Sequence, residues 1–246
     1  MAAEKSFGGK VTWLGHAAFL IESPKGARIA IDPFVEHNPR FPKGFQFGNL
    51  DVIAGTHGHS DHFGDDAIGL AKKTGATVVG IYELGLWAGS RGIEKTSGMN
   101  KGGHQMVSGI EFRMVAADHS AGAAGGGGVV YTGEPCGYVL TFEDGYRIYH
   151  AGDTNVFSDM ALIGELYAPD LALLPIGDFY TMGPREAAKA CELLKVPRVI
   201  PMHWGTFPVL TGTPDALRKE IAERGGKTEV VELTPGGSWP ADSKRP

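Results

Sequence analysis

Residues 56–64 read Thr-His-Gly-His-Ser-Asp-His-Phe-Gly, so His57, His59, Asp61 and His62 fall within six positions. Three imidazoles and a carboxylate crowded together have a clear physical use. Neutral histidine nitrogens and aspartate oxygens are borderline-to-hard donors that suit zinc, manganese or iron. In an extended stretch, residues two apart point the same way, so His57 and His59 can grip one ion. A turn after Ser60 re-aims Asp61 and His62 toward a second. The plainer reading is a polar loop with surface histidines.

The run follows Asp51–Thr56, an apolar stretch that reads as a buried strand, and other donors obey the same placement. His119 closes the strand-like Ile110–Asp118, Asp153 follows Tyr146–Gly152, and His203 closes Pro197–Met202. In sheet-based folds the carboxyl ends of strands form one rim, where ligands bind. Residues far apart in the chain can converge there.

The rest of the chain supplies the sheets. Residues 11–14, 18–22, 27–32 and 76–81 read as strands, and Asp65–Thr74 as a helix. A Pro- and Phe-rich stretch, 33–48, reads as a long functional or mobile loop. The second half repeats this grammar. His104–Val107 and Ile110–Asp118 pair, and Cys136–Asp144 and Tyr146–Asp153 form a hairpin around Asp144-Gly145. Helices are expected over 156–167, 184–194 and 214–223, with strands over 170–176, 197–203 and 228–233. Ala121–Gly128, nearly all Ala and Gly, is the most flexible-looking segment. The tail from Gly236 looks frayed. Two ββα-type halves of this kind pack as an α/β (α+β), four-layer αββα sandwich, with no linker dividing residues 1–246 into separate domains.

Composition narrows the function. The formal charge of −5 argues against a dedicated nucleic-acid binder. The two cysteines, Cys136 and Cys191, fit free thiols in a reducing compartment better than a disulfide framework. No apolar run approaches a membrane span and the first ten residues hold no signal-like core, so a cytoplasmic location is expected. The oligomeric state stays open, a homo-oligomer included.

The motifs HxHxDH at 57–62, a lone His at 119, GDT at 152–154 and MHWGT at 202–206 resemble, in that order, the metallo-β-lactamase superfamily. The resemblance runs from about Lys10 to Leu233. WLGHAAFLIE and IDPF near the start resemble its branch of small bacterial metal-dependent hydrolases, related to L-ascorbate-6-phosphate lactonase and, more distantly, to N-acyl-phosphatidylethanolamine phospholipase. The resemblance implies the metallo-β-lactamase fold with two divalent ions at one edge, zinc foremost, with manganese or iron also suited. His57, His59 and His119 would hold the first metal, and Asp61, His62 and His203 the second, with Asp153 bridging. A hydroxide shared by the metals would then cleave a small ester, lactone or phosphodiester. Asp61 would also orient the nucleophile or shuttle its proton.

Departures from neighbouring branches inform as well. The stretch between Asp153 and His203 is too short for the insert of the nucleic-acid-processing branches, which disfavours a tRNA- or RNA-processing nuclease. No helical substrate domain of the glyoxalase II kind is seen. Asp153 stands where some β-lactamases carry cysteine, and HxHxDH differs from the HxExD of flavo-diiron oxygen reductases. A mononuclear iron dioxygenase on the same ligands is the main alternative, and a relic or sensor site a third.

Other residues carry two readings each. His16, in the turn after the first strand, is placed by the resemblance beside the metals, where it binds substrate or protonates a leaving group; otherwise it closes the turn. Asp32 reads as a hydrogen-bond partner of a metal-binding imidazole, or as a turn residue before Pro33. His150 reads as a packed core histidine, and His37 and His104 as structural or solvent-facing. Asp178, Thr181 and Met182 either line the pocket or cap a helix entry. The glycines at 125–128 form an anion cradle, a mobile lid or a plain loop.

Overall fold

A computed structural model describes residues 5–125 and 127–240 of the chain. The first half runs β1 (Lys10–Trp13), β2 (Phe19–Glu22), β3 (Arg28–Ile31), β4 (Val52–Ala54), α1 (Asp65–Thr74), β5 (Thr77–Ile81), α2 (Tyr82–Ser90) and β6 (Thr96–Met99). The second runs β7 (His104–Val107), β8 (Ile110–Ala116), β9 (Ala123–Gly125), β10 (Gly128–Val130), β11 (Cys136–Thr141), β12 (Arg147–His150), α3 (Met160–Tyr167), β13 (Leu171–Pro175), α4 (Pro184–Leu194), β14 (Arg198–Met202), α5 (Pro214–Glu223), β15 (Glu229–Val230) and β16 (Ser238–Trp239).

Two seven-stranded sheets result, ordered β16-β1-β2-β3-β4-β5-β6 and β15-β14-β13-β12-β11-β8-β7. Each begins antiparallel and turns parallel: β1/β2/β3 and then β3 to β6 in one, β7/β8/β11/β12 and then β12 to β15 in the other. The second sheet is buried on both faces, as its alternation shows. Tyr138, Leu140, Ile148, Leu171, Leu173 and Ile200 face the core shared with the first sheet. Val139, Tyr149, Ala172, Leu174 and Val199 face Met160, Ala187, Cys191, Leu217 and other residues of α3–α5. On the first sheet, Ala67, Ile68 and Ala71 of α1 and Leu84 and Ala88 of α2 join the shared core cluster. The four-layer αββα order expected from the sequence is therefore present.

Local chemistry explains the helix ends. Asp65 and Asp66 open α1 and Lys72 and Lys73 close it, matching the helix dipole, and Gly75 ends it at φ 70°. Proline starts α4 and α5, and Thr213 accepts the Ala216 N–H at the head of α5.

Several expectations need correction. Helix α3 starts at Met160, not Val156: residues 156–157 are irregular and Ser158 and Asp159 form a turn. Helix α2 and strand β6 went unread: Gly85 and Gly89 disguise the helix, and β6 (Thr-Ser-Gly-Met) carries no apolar signal. Gly98 of β6 lets it pass close to Gly85. Within the Ala/Gly segment, Ala123–Gly125 pairs antiparallel with Gly128–Val130 as β9/β10, and Gly126 lies outside the described residues. The expected frayed tail is paired too: Trp239 lies opposite Val11 and packs on Phe7 and Tyr146. Residues 241–246 lie outside the described residues. The last strand shrinks to Glu229–Val230.

Candidate metal centre

Strand direction gathers the donors. β1 and β3 run the same way, both antiparallel to β2, and β4 continues parallel to β3. In the second sheet β8 and β12 both run antiparallel to β11, and β13 and β14 follow β12 in parallel. His16, Asp32 and His57 come after β1, β3 and β4; His119, Asp153 and His203 after β8, β12 and β14. Each sheet thus presents its site residues on one edge, and the two edges meet.

Two donor groups form there, beside a third in which Asp32 joins His57 and His62. His57, His59 and His119 each offer an atom within 4.8 Å of the others, as do His16, Asp61, His62 and His203. Asp153 stands between the groups, with its Oδ2 3.1 Å from His62 Nε2, 3.0 Å from His203 Nε2 and 3.7 Å from His119 Nε2. The His62 and His203 contacts are close enough for ion pairing but misaligned for hydrogen bonding. His62 Nε2, both nitrogens of His203 and Asp153 Oδ1 are buried without a hydrogen-bond partner among the described residues. A buried polar atom left unpaired costs about 1–3 kcal/mol. Several such atoms, on both sides of one point, fit a divalent cation.

The supporting hydrogen bonds set the imidazole tautomers. Asp32 is fully buried; its Oδ1 accepts the Thr56 N–H (2.8 Å), and its Oδ2 accepts the Thr56 hydroxyl (2.6 Å) and His62 Nδ1–H (2.8 Å). With its proton given to Asp32, Thr56 Oγ1 accepts His57 Nδ1–H at 3.0 Å. One carboxylate therefore orients His62 directly and His57 through Thr56, leaving both Nε2 atoms facing the site. This is the role read for Asp32 from the sequence; Thr56 was missed.

Electrostatics point the same way. Burial opposes a charge on His62, yet Asp153 and Asp32 outweigh it and hold its pKa well above the ordinary imidazole value. Burial likewise opposes the Asp153 carboxylate, but His203 and His62 hold its pKa well below the usual range. Groups that stabilise a proton's charge there also stabilise a metal's. Burial pushes His57, His59 and His119 down, toward the neutral form that ligates metals.

His16 is buried behind Asp61. Its Nε2–H donates to Asp61 Oδ2 (3.1 Å), its Nδ1 accepts the Thr206 hydroxyl (3.0 Å), and its ring centroid lies 3.8 Å from that of His203. Burial, then the charge of His203, lowers its pKa to about 4. Burial raises Asp61, but the His16 hydrogen bond and the charges of His62 and His16 carry it well below the usual range. Thr206 belongs to the MHWGT motif at 202–206, in which the sequence points to His203.

Backbone strain accompanies these positions. His16, Asp32 and His203 have φ of 55°, 46° and 55°, a left-handed region that non-glycine residues seldom occupy. Such strain clusters at functional sites, where the surrounding structure holds it in place. At Gly152 (φ 63°) a Cβ would lie 2.7 Å from the Cys136 carbonyl oxygen, so the turn that delivers Asp153 requires glycine.

The remaining candidates divide. His150 is a core histidine, its Nε2 donating to the Ala17 carbonyl. His37 and His104 are exposed, and Met182 is buried. Within the loop 175–184 it is Tyr180, rather than Asp178, Thr181 or Met182, that lines a cleft beside Asp61. The glycines at 125, 127 and 128 are exposed.

Comparison with known proteins places this edge in a family. The model of the Beta-lactamase superfamily domain matches residues 10–203. A protein named UPF0173 metal-dependent hydrolase from Solibacter usitatus is 52% identical over 92% of this chain and 97% of its own. Another of that name from Koribacter versatilis is 51% identical over 94% and 98%. Among solved structures, Igni18, a metallo hydrolase from Ignicoccus hospitalis, superposes with a TM-score of 0.82 at 35% identity, covering 94% of this chain and 97% of that one.

Proposed function

The chain belongs to the metallo-β-lactamase superfamily as a metal-dependent hydrolase, and from that premise we propose that it uses two divalent ions to cleave a small ester, lactone or phosphodiester. The observation that carries this reading is Asp153, buried between two donor groups and within 3.7 Å of members of both. His57, His59 and His119 would hold one ion and Asp61, His62 and His203 the other, with Asp153 within reach of both groups. Divalent ions in such a site supply Lewis acidity and bring the pKa of water toward neutrality.

The protein's own groups do the rest. Asp32 and Thr56 keep His57 and His62 in the tautomer that directs Nε2 inward. Asp61 is partly exposed at the cleft, where its charged carboxylate accepts a hydrogen bond from the attacking water and orients it. His16, hidden from substrate, acts as a positioning residue: its Nε2–H keeps the Asp61 carboxylate charged and aimed. Thr206 in turn holds His16 in the tautomer that donates.

The test is metal analysis of the purified protein together with a hydrolysis screen of p-nitrophenyl esters, aryl lactones and bis(p-nitrophenyl) phosphate, with Asp61→Ala as the blank. Two equivalents of divalent metal and turnover lost to a chelator and restored by metal are expected. Chelator-insensitive turnover, or undiminished turnover by metal-replete Asp61→Ala, refutes the reading. One iron per chain with oxygen consumption would favour a dioxygenase instead.

A further inference from the structure

The cleft that opens onto Asp61 has a volume of about 540 Å³. Phe34, Phe207, Tyr180 and Val209 form its apolar wall. The rings of Phe34 and Phe207 also flank His16, with centroids 5.6 and 5.7 Å from it, so the wall continues directly into the proposed metal centre.

Tyr180 reaches this wall from an unusual loop. Asp178 and Phe179, neither of them glycine, follow one another at φ 65° and 60°. The bend is held by Phe179 N–H to Asp178 Oδ1 at 2.7 Å and Tyr180 N–H to the Asp178 carbonyl at 2.7 Å. Tyr180 is left 57% exposed, and its ring meets that of Phe179 edge-on at 4.7 Å. Backbone strain that presents an aromatic ring to solvent beside a reactive centre is a sign of ligand contact.

The charge of the cleft is one-sided. Glu36, Asp65 and Asp66 line it beside Asp61, His37 and Ser60 line it too, and no Lys or Arg does so among the described residues. Arg91 pairs with Asp65. Asp66 is partnered by neutral groups, accepting the N–H groups of Val35 (2.7 Å) and Glu36 (3.1 Å), so those donors are unavailable to an anion. A phosphate or carboxylate handle needs several cationic or N–H donors, and against four carboxylates this wall offers only the His37 ring and the Ser60 and Tyr180 hydroxyls. Aromatic faces with carboxylates nearby instead favour apolar and cationic groups.

We infer that this cleft receives the substrate group flanking the scissile bond, and that this group is apolar and either uncharged or positively charged. The inference rests on the hydrolase reading and sharpens its substrate class. It speaks against a sugar phosphate or nucleotide, since a terminal phosphate would meet Glu36 and Asp66.

Two probes of similar size and opposite charge, benzyltrimethylammonium and benzenesulfonate, test it by calorimetric titration of the metal-loaded protein. The cation should bind at least tenfold tighter. Tyr180→Ala should weaken the cation at least fivefold, and Glu36→Lys should cut the cation-to-anion ratio at least threefold. Both side chains are exposed, so neither change threatens the fold. Equal or tighter sulfonate binding, or Tyr180→Ala leaving cation affinity unchanged, overturns the inference. In parallel, p-nitrophenyl butyrate and the p-nitrophenyl hemiester of succinate are compared by kcat/KM, the butyrate being favoured at least tenfold. Failure to turn over either these esters or the substrates of the wider screen would sink the hydrolase reading, while the two probe affinities still decide the cleft.

Discussion

Asp32→Asn is the most informative single change, because it alters charge and hydrogen bonding at nearly constant shape. Three donors converge on the buried carboxylate: the Thr56 N–H and hydroxyl and His62 Nδ1–H, at 2.6–2.8 Å. An amide replaces one acceptor oxygen by an NH2 group, so at least one donor faces another donor whichever way it is turned. The cost is one buried unpaired group, about 1–3 kcal/mol of folding stability. The second consequence falls on the metal. Losing the negative charge makes His62 a weaker base, and His57 loses the anchor that Thr56 relays, so metal affinity should drop about 10–100-fold. Urea denaturation measures the first effect, and competition with a fluorescent chelator the second. Tyr138→Phe is the control. It removes a buried hydrogen bond to the Gly55 carbonyl (2.7 Å), costing about 1 kcal/mol, while touching no donor of the site. Asp32→Asn binding metal within twofold of wild type would refute the argument that this carboxylate organises both imidazoles.

Three further outcomes follow from the same geometry. Gly152→Ala forces a Cβ to within 2.7 Å of the Cys136 carbonyl and 2.9 Å of Thr56 Cβ at a left-handed φ, so about 1–3 kcal/mol of stability and bound metal should be lost together; full metal stoichiometry would contradict this. Burial pushes the Cys136 and Cys191 thiols up to about 12, so a thiol reagent at pH 8 should label neither in the native protein and both in urea. In chelator-treated protein, His16 falls from 6.5 unfolded to about 4 folded, so the stability of its neutral form is complete above pH 6.5 and lost as pH falls toward 4, by about 3 kcal/mol. His57, His59 and His119, also lowered, add to that loss, whereas His62, whose pKa is raised, opposes it. A urea midpoint flat across that range would contradict the assignment.

How much of this was legible in the sequence depends on whether a residue's type or its backbone angle does the work. His57, His119, Asp153 and His203 were readable because each is a metal-donor side chain just beyond an apolar strand. Strand ends of one direction share an edge, so position along the chain converts directly into position in space. The αββα layering was readable because alternation and helix periodicity survive without knowledge of partners. Helix α2 was not: Gly85 and Gly89 oppose helix on propensity, and the helix is packed against both β5 and β6. Strand β16 was not, since Ser238-Trp239 owes its structure to a β1 edge over two hundred residues away.

The cleft was least legible of all, and for a specific reason. Glycine announces a left-handed turn, as at Gly152, but Asp178 and Phe179 adopt one with ordinary side chains. Nothing in Asp-Phe-Tyr-Thr signals that Tyr180 swings onto the wall that holds Phe207. The same holds for His16, Asp32 and His203, whose left-handed backbone turns their rings and carboxylate inward. Residue identity shows that metal chemistry is available, but strained backbone decides where those groups point and what stands beside them. The proposed cleft takes its wall from residues 34–37, 178–181 and 206–209, and within these segments Asp178 and Phe179 are the residues held in a left-handed conformation that their local sequence does not favour.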